Sequence, residues 1–383
     1  MAGEVRIGVV GVGGMGGFHA DYLQKGKVSR ARLTAICDVV PKQMDRFEGV
    51  KKYADHRQLV ASGDVDAVLI ATPHYDHTTV AVHAFDHGVH VLTEKPLAVH
   101  VADGRKMADA HARTKLVFGI MHQMRTSSVW KKVRQLLTAG ELGELRRVNW
   151  IVTDWFRSQA YYDSGGWRAT WKGEGGGVLM NQCPHNLDLM SWFFGRPSRI
   201  AGFAKFGKYH AIEVEDDVTA YLEYPNGATG VFITTTGEAP GTNRLEVDGD
   251  RGKLVVENGE ITFVRTEVSV AEFLKSSREG FASPPVWTAK IPHGGDWGGH
   301  HVITQGFVDA ILDGKDPIVR GEEGLGAVEL ANSIIYSTLE GKPVDLPPDA
   351  AAYALKLKEL ILASKGTKQV RDIGPADMNA SFK

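Results

Sequence analysis

Apolar positions in the first third of the chain fall into short runs, and helical periodicities separate them. Residues 5–10, 33–38, 65–70, 89–93 and 116–120 read as buried strands, while 18–23, 76–86 and about 98–113 read as helices. Strand and helix alternating in this way predict βαβ units and a parallel, doubly wound sheet over residues 1–123. The pattern then changes. A helix is expected at 130–142, stopped by Gly143, and 145–154 alternates as a strand. From 198 to 265 the chain is strand-rich, with 217–224 and 228–236 flanking the turn Pro225-Asn226-Gly227. Residues 276–300 carry Pro, Gly and Trp without a period and read as a long ordered loop or a lid. Helices follow at about 301–313, 322–340 and 348–364, and a polar, loosely held tail is expected after Gly366. Residues 124–383 therefore read as a second α/β domain with a mainly antiparallel sheet.

The first strand runs into Gly11-Val12-Gly13-Gly14-Met15-Gly16, and the second ends at Asp38, 22 residues past Gly16. Strand, glycines, helix, strand and acid in that order form the dinucleotide fingerprint. The glycines permit a tight turn, close approach of a pyrophosphate and helix–sheet packing, and the helix N-terminus offers free amides. Asp38 would accept hydrogen bonds from the adenosine ribose. No arginine adjoins Asp38, so NAD is expected over NADP, with Lys42 and Arg46 the residues that could reach a 2′-phosphate. Ligands of parallel sheets bind beyond the carboxyl ends of the strands. Gly11, Asp38, Thr72, Lys95 and His122 all lie at such ends, which points Lys95 into the nucleotide crevice.

The segment 173–195 is a glycine run leading into an apolar helix. Asn181, His185 and Asp188 follow at intervals that would share one helical face. An isolated histidine there would be an ordinary core histidine; the fingerprint and Lys95 make it a candidate catalytic base.

Together, the fingerprint, the triplet Glu94-Lys95-Pro96 and the segment Gly-Gly-Gly…Asn181-x-x-x-His185-x-x-Asp188 resemble the family of glucose–fructose oxidoreductase and inositol dehydrogenase, Gfo/Idh/MocA. The likeness runs from Val5 to about Lys356. It implies an N-terminal Rossmann domain and a C-terminal α/β domain with a large open-faced sheet. It also implies hydride exchange between a nicotinamide and a secondary hydroxyl or ketone of a sugar or cyclitol, with Lys95 and His185 handling the proton. Thr72, Pro73, His77, Glu94, Gln123 and the pair Trp167-Arg168 are expected beside the cofactor. Many inositol dehydrogenases have aspartate where Asn181 stands. Asparagine takes no proton, but it donates to and accepts from sugar hydroxyls. Tyr161 and Tyr162, in the irregular aromatic stretch 155–171, are expected with Trp167 and His300 at the substrate. The alternatives are a sugar-ketone reductase using NADPH and a nicotinamide-sensing regulator without turnover. Retention of both Lys95 and His185 argues against the regulator.

Composition narrows the partners. The 383 residues are 43% hydrophobic and 23% charged, with net charge −2, so no basic footprint for nucleic acid or membrane is expected. Two unpaired cysteines, Cys37 and Cys183, fit a reducing cytosol. The N-terminus runs directly into a strand, so no signal peptide is expected, and the apolar run at 65–71 is too short to span a bilayer. His300-His301 has no acidic or cysteine ligand at metal spacing, so no metal is expected. An uncovered sheet face predicts a homodimer or homotetramer.

Overall fold

The computed structural model describes residues 3–364 and 370. The expected tail after Gly366 therefore lies almost wholly outside the described residues. Among the described residues there are two sheets, one parallel and one mainly antiparallel.

The parallel sheet grows from β1 (Val5–Val10), α1 (Gly14–Gln24), β2 (Ala31–Cys37), β3 (Lys51–Tyr53), α2 (His56–Ala61), β4 (Ala67–Ile70), α3 (His74–Asp86), β5 (His90–Thr93), α4 (Val101–Ala112) and β6 (Phe118–Ile120). Its six strands lie in the order β3-β2-β1-β4-β5-β6, the doubly wound Rossmann arrangement. β4 is apolar throughout, and β1 and β5 are buried except at Arg6 and His90, because helices cover both faces of a parallel sheet. The order reverses between β1 and β4, and this opens a crevice at the carboxyl ends of those two strands.

The second sheet follows α5 (Ser128–Thr138), which ends two residues before Gly140 reaches φ +70°, so the stop comes earlier than at Gly143. Next come β7 (Leu145–Val152), α6 (Gln159–Asp163), α7 (Pro184–Phe194), β8 (Arg199–Phe206), β9 (Glu215–Glu223), β10 (Thr229–Thr235), β11 (Asn243–Gly249), β12 (Gly252–Glu257) and β13 (Glu260–Thr266). The chain ends with α8 (Val270–Ser276), β14 (Val286–Ile291), α9 (His300–Asp313), α10 (Leu325–Glu340), β15 (Val344–Asp345) and α11 (Ala350–Ala363). The sheet order is β14-β13-β12-β11-β7-β10-β9-β8-β15, antiparallel except for β7 beside β10. The stretch 276–300 is thus not wholly a loop. β14 pairs along β13 from Ile261–Ile291 to Thr266–Val286, and its missing apolar alternation reflects an edge strand with exposed Val286 and Trp287.

One face of this sheet is core: Val148, Trp150 and Val152 of β7 alternate with outward residues, and Phe232, Leu245 and Val247 continue the buried layer. Helices α7 and α10 supply its cover, with Leu187, Met190, Leu330 and Ile334. The opposite face carries the partly exposed Phe203 and Tyr221. Helix α9 returns to the first core, where Ile303, Phe307 and Val308 join the residues under the parallel sheet. The second sheet and its glycine run are thereby held over the carboxyl ends of the Rossmann strands.

Candidate active site

At the reversal point the first turn of α1 has no side-chain cap and no acidic residue, so its amides are open to an anion. Gly11 sits at φ +83°, and a Cβ on Gly16 would lie 1.6 Å from the Gly11 carbonyl oxygen. Glycine is therefore obligatory at both. A Cβ on Gly13 would meet nothing within 4 Å, leaving the space a pyrophosphate requires. Asp38 accepts from the Val12 and Val40 amides, each at 2.8 Å, which pins its carboxylate beside the glycine turn with lone pairs to spare. Arg46 is drawn to α1 instead, 3.1 Å from Asp21 and packed over Gly17. The Thr72 hydroxyl, buried at the end of β4, has no protein partner. An open helix end, two obligatory glycines and an unpartnered buried hydroxyl fit a dinucleotide.

His77 is fully buried beneath the strand ends, its ring nitrogens 2.9 Å and 3.0 Å from the carbonyls of Pro96 and Thr72. It ties the end of β4, with Pro73, to the Glu94-Lys95-Pro96 turn. Glu94 is buried; His19 of α1 lies 2.7 Å from one oxygen, and the Lys95 amide donates to the other. The contact with His19 holds the Glu94 carboxyl well below its ordinary range against the cost of burial.

Lys95 leaves this turn and crosses to the second domain, where its Nζ donates to the carbonyl oxygen of Asn181 at 2.8 Å. Burial lowers its pKa from the ordinary lysine value. Helix α7 begins at Pro184, so Asn181 is not on a helical face with His185 as the spacing suggested. Pro184 fits the first helical position because its missing N–H has no helical role there. Asn181 lies in the preceding turn, where its amide bonds the Gly177 carbonyl at 2.9 Å. Turn and helix still bring Asn181 and His185 to one wall. The glycine run admits backbone here: a Cβ on Gly177 would lie 1.9 Å from the Glu215 carbonyl oxygen.

His185 is buried, and its Nε2 accepts from Gln123 Nε2 at 3.1 Å. That bond makes Nε2 the unprotonated ring nitrogen, while Nδ1 has no protein partner. Burial pushes the His185 pKa well below the ordinary value, and the neighbouring Lys95 and His122 push the same way. The imidazole is thus held neutral, in the form that can take a proton. Asp188, one turn on, faces away to Arg125, which donates to it at 2.6 Å and 2.8 Å, both side chains buried. Its role is to lock α7 to the turn after β6.

The aromatic stretch divides. Tyr161 is half-buried, and its hydroxyl receives Arg168 at 3.0 Å and Gln182 at 3.2 Å while reaching Asn181 Oδ1 at 3.4 Å. Arg168 lies over both the Tyr161 and Trp167 rings at 4.7 Å, and Trp167 meets His74 of α3 edge-on at 5.8 Å. Tyr162 instead points into the core, its hydroxyl 2.7 Å from Thr236. His300, at the start of α9, packs against Phe18 and His19 and so stands behind Glu94. Burial pushes its pKa down to about 3. The structure therefore groups Lys95, His185, Gln123, Asn181, Tyr161, Trp167 and Arg168, and sets Tyr162 and His300 in the layer behind them.

The sequence pattern did not single out Glu174. It is buried, accepts from the Ala169 amide at 2.6 Å and bonds the Asn181 side-chain amide. An acid embedded among glycines was the available signal. Among the described residues no group of three or more His, Cys, Asp or Glu could hold a metal, and no helix is long and apolar enough to cross a membrane.

The model of the oxidoreductase family with an NAD-binding Rossmann fold matches residues 5–122, and that of the GFO/IDH/MocA C-terminal domain matches 130–255. The chain belongs to the Gfo/Idh/MocA oxidoreductase family. Relatives span it nearly end to end. A scyllo-inositol 2-dehydrogenase (NAD(+)) of Bacillus subtilis is 22% identical over 90% of this chain and 97% of its own. A 1,5-anhydro-D-fructose reductase of Ensifer adhaerens is 24% identical over 77% and 84%. Among solved structures, the WlbA dehydrogenase of Chromobacterium violaceum, in complex with NADH and UDP-GlcNAcA, superposes with a TM-score of 0.78 at 27% identity, covering 90% of this chain and 97% of that one. The expected Rossmann domain and mainly antiparallel second sheet are those of this family.

Proposed function

We propose that the protein is an NAD-dependent dehydrogenase of a secondary hydroxyl on a sugar, glycoside or inositol. What carries this reading is Lys95 Nζ bonded to the Asn181 carbonyl, close enough to the neutral His185 for its charge to act on that ring, at the carboxyl end of a Rossmann strand. A bound nicotinamide supplies the acceptor for the hydrogen and two electrons of the C–H bond. His185 Nε2 takes the hydroxyl proton, a substrate oxygen displacing the Gln123 amide from its lone pair. The Lys95 ammonium donates to the same oxygen and stabilises the charge that develops there. Asn181 and Tyr161 orient the neighbouring hydroxyls, and Trp167 with Arg168 walls the cofactor side. Residues 1–123 serve as the cofactor domain and 124–383 as the substrate and assembly domain. Exposed Phe203 and Tyr221 on the outer face of the large sheet support a homodimer or homotetramer through that face.

Relatives named for inositol, anhydrofructose and a nucleotide-sugar complex support the substrate class. The pinning of Asp38 beside the glycine turn, with Arg46 drawn to Asp21, supports NAD over NADP. The test is a panel of inositols, aldoses, glycosides and nucleotide-linked sugars with each cofactor, read by absorbance of the reduced nicotinamide. Tight cofactor binding with no turnover of any member would sink the enzyme reading in favour of a sensor.

A further inference from the structure

Three features meet at Glu174. Its two carboxylate oxygens are taken by N–H donors, the Ala169 amide on one side and the Asn181 side chain on the other. Ala169 is a non-glycine residue at φ +50°, a conformation that costs energy unless its surroundings hold it. It directly follows Trp167 and Arg168. Glu174 is itself anchored in that loop, its own amide bonding the Thr170 carbonyl at 2.9 Å, and its carbonyl lies 3.0 Å from His74 Nδ1. One side chain thus fixes the loop that carries Trp167 and Arg168 and also fixes the amide of Asn181.

The second link is electrostatic. Asn181 carries no charge, and it holds Lys95 only through its main-chain oxygen. The negative groups that act on Lys95 are Glu94, from its own turn, and Glu174. Glu94 is already committed to His19 and to the Lys95 amide. Opposing positive charge comes from Arg157 and Arg168 of the aromatic stretch. The titratable rings facing the lysine are His74 from α3, His122 after β6, His185 from α7 and His300 from α9. Among these groups Glu174 alone both carries negative charge and is bonded to the residue that receives the lysine.

We propose that Glu174 is the positioning residue of this site: through Asn181 it holds Lys95 in place and supplies the buried counter-charge that the neutral residue 181 cannot. The proposal rests on Lys95 as the proton-handling lysine. It assigns to one acid the Trp167-Arg168 loop and the lysine together, so a change at Glu174 moves both. Burial raises the Glu174 pKa, whereas Arg168, the Ala169 amide, Asn181 and Lys95 favour its ionised form. The carboxylate receives only donors, which is the pattern of an ionised group.

The test measures the lysine itself. The full-length chain is labelled with acetic anhydride across a pH series, and the extent of Lys95 acetylation is read by peptide mass spectrometry, giving its protonation midpoint without any substrate. Glu174→Gln should shift that midpoint to lower pH by about one unit, the size expected on loss of a nearby opposite charge. Glu174→Gln combined with Asn181→Asp returns a carboxylate to the next side chain and should bring the midpoint back to the wild-type value. A Lys95 midpoint unmoved in Glu174→Gln overturns the proposal. If that single variant does not fold, the double variant decides: a folded chain with the wild-type midpoint supports the proposal, and a lowered midpoint or an unfolded chain overturns it. Where turnover is found, the alkaline limb of kcat/KM should move with the labelling midpoint. A wild-type chain inactive on every sugar and cyclitol would instead sink the proposed reaction, and the labelling midpoints would still judge Glu174.

Discussion

Lys95 Nζ and the carbonyl oxygen of Asn181 stand 2.8 Å apart, joining the end of a Rossmann strand to the glycine-run turn of the second domain. The lysine cannot leave one domain without losing a bond to the other. The contact also sets the position of the ammonium relative to His185, four residues beyond its acceptor.

From this arrangement we expect Lys95→Met and His185→Ala each to lower kcat by a factor of about 10² to 10⁴, the range for loss of a positioned acid or base. NAD affinity, followed by quenching of protein fluorescence, should stay within a few-fold. The double variant should lose far less than the product, because groups acting on one proton are not additive. Near-wild-type turnover by His185→Ala would exclude it as the base and make Tyr161 the next candidate.

The pH profile follows from two lowered pKa values. Burial holds His185 neutral to a pH below the ordinary 6.5, so the acid limb of substrate oxidation should lie below that value. Burial also lowers Lys95 from the ordinary 10.5, and activity should fall as the ammonium is lost, at a pH below 10.5. Both limbs of kcat/KM thus shift to the acid side of the free side chains. An acid limb at or above pH 6.5 would show that His185 is not the titrating base.

For the cofactor, we expect repulsion between Asp38 and a 2′-phosphate to set the preference. Two like charges about 4 Å apart cost about 1 kcal/mol in water and several at lower dielectric. The kcat/KM with NAD should exceed that with NADP, and Asp38→Ala should narrow the ratio. The same substitution frees the Val12 and Val40 amides, so NAD binding should weaken as well. A wild-type preference for NADP would overturn this reading.

Much of this was legible before the structure, and the reason is physical. βαβ units of the first domain write their period directly into sequence, and the crevice follows from strand order, so Gly11, Asp38, Thr72 and Lys95 were placed by topology. The edge strand β14 was hidden because its outward residues have no second layer to demand alternation. The helical spacing of Asn181 and His185 misled, since a turn before Pro184 imitates one more turn of helix. Tyr161 and Tyr162 are adjacent in sequence, yet one faces the crevice and the other Thr236. The role of Glu174 was not legible, although an acid among glycines marked the position, because its partners, Ala169 and Asn181, come together only when the glycine run closes against Glu215.

Asp188 gives a prediction about stability rather than chemistry. It accepts two hydrogen bonds from Arg125, and both groups are almost wholly removed from water. Arg125 also donates to Glu323, which is about one-third exposed and offers only part of the compensation. His122, 3.8 Å from Asp188, is neutral or positive and so cannot replace the lost negative charge. Asp188→Ala therefore strands a buried guanidinium, a change that typically costs about 3–5 kcal/mol. The urea midpoint should fall sharply, with the slope of the transition unchanged if the denatured state is unaffected. Changing Arg125 to Met together with Asp188 to Leu removes both charges and should recover most of the loss, because apolar pairs of similar volume can replace buried ion pairs. A substrate role would give a different pattern: Asp188→Ala would leave the urea midpoint in place and raise KM. A stable Asp188→Ala with impaired binding would move Asp188 from the scaffold into the substrate site.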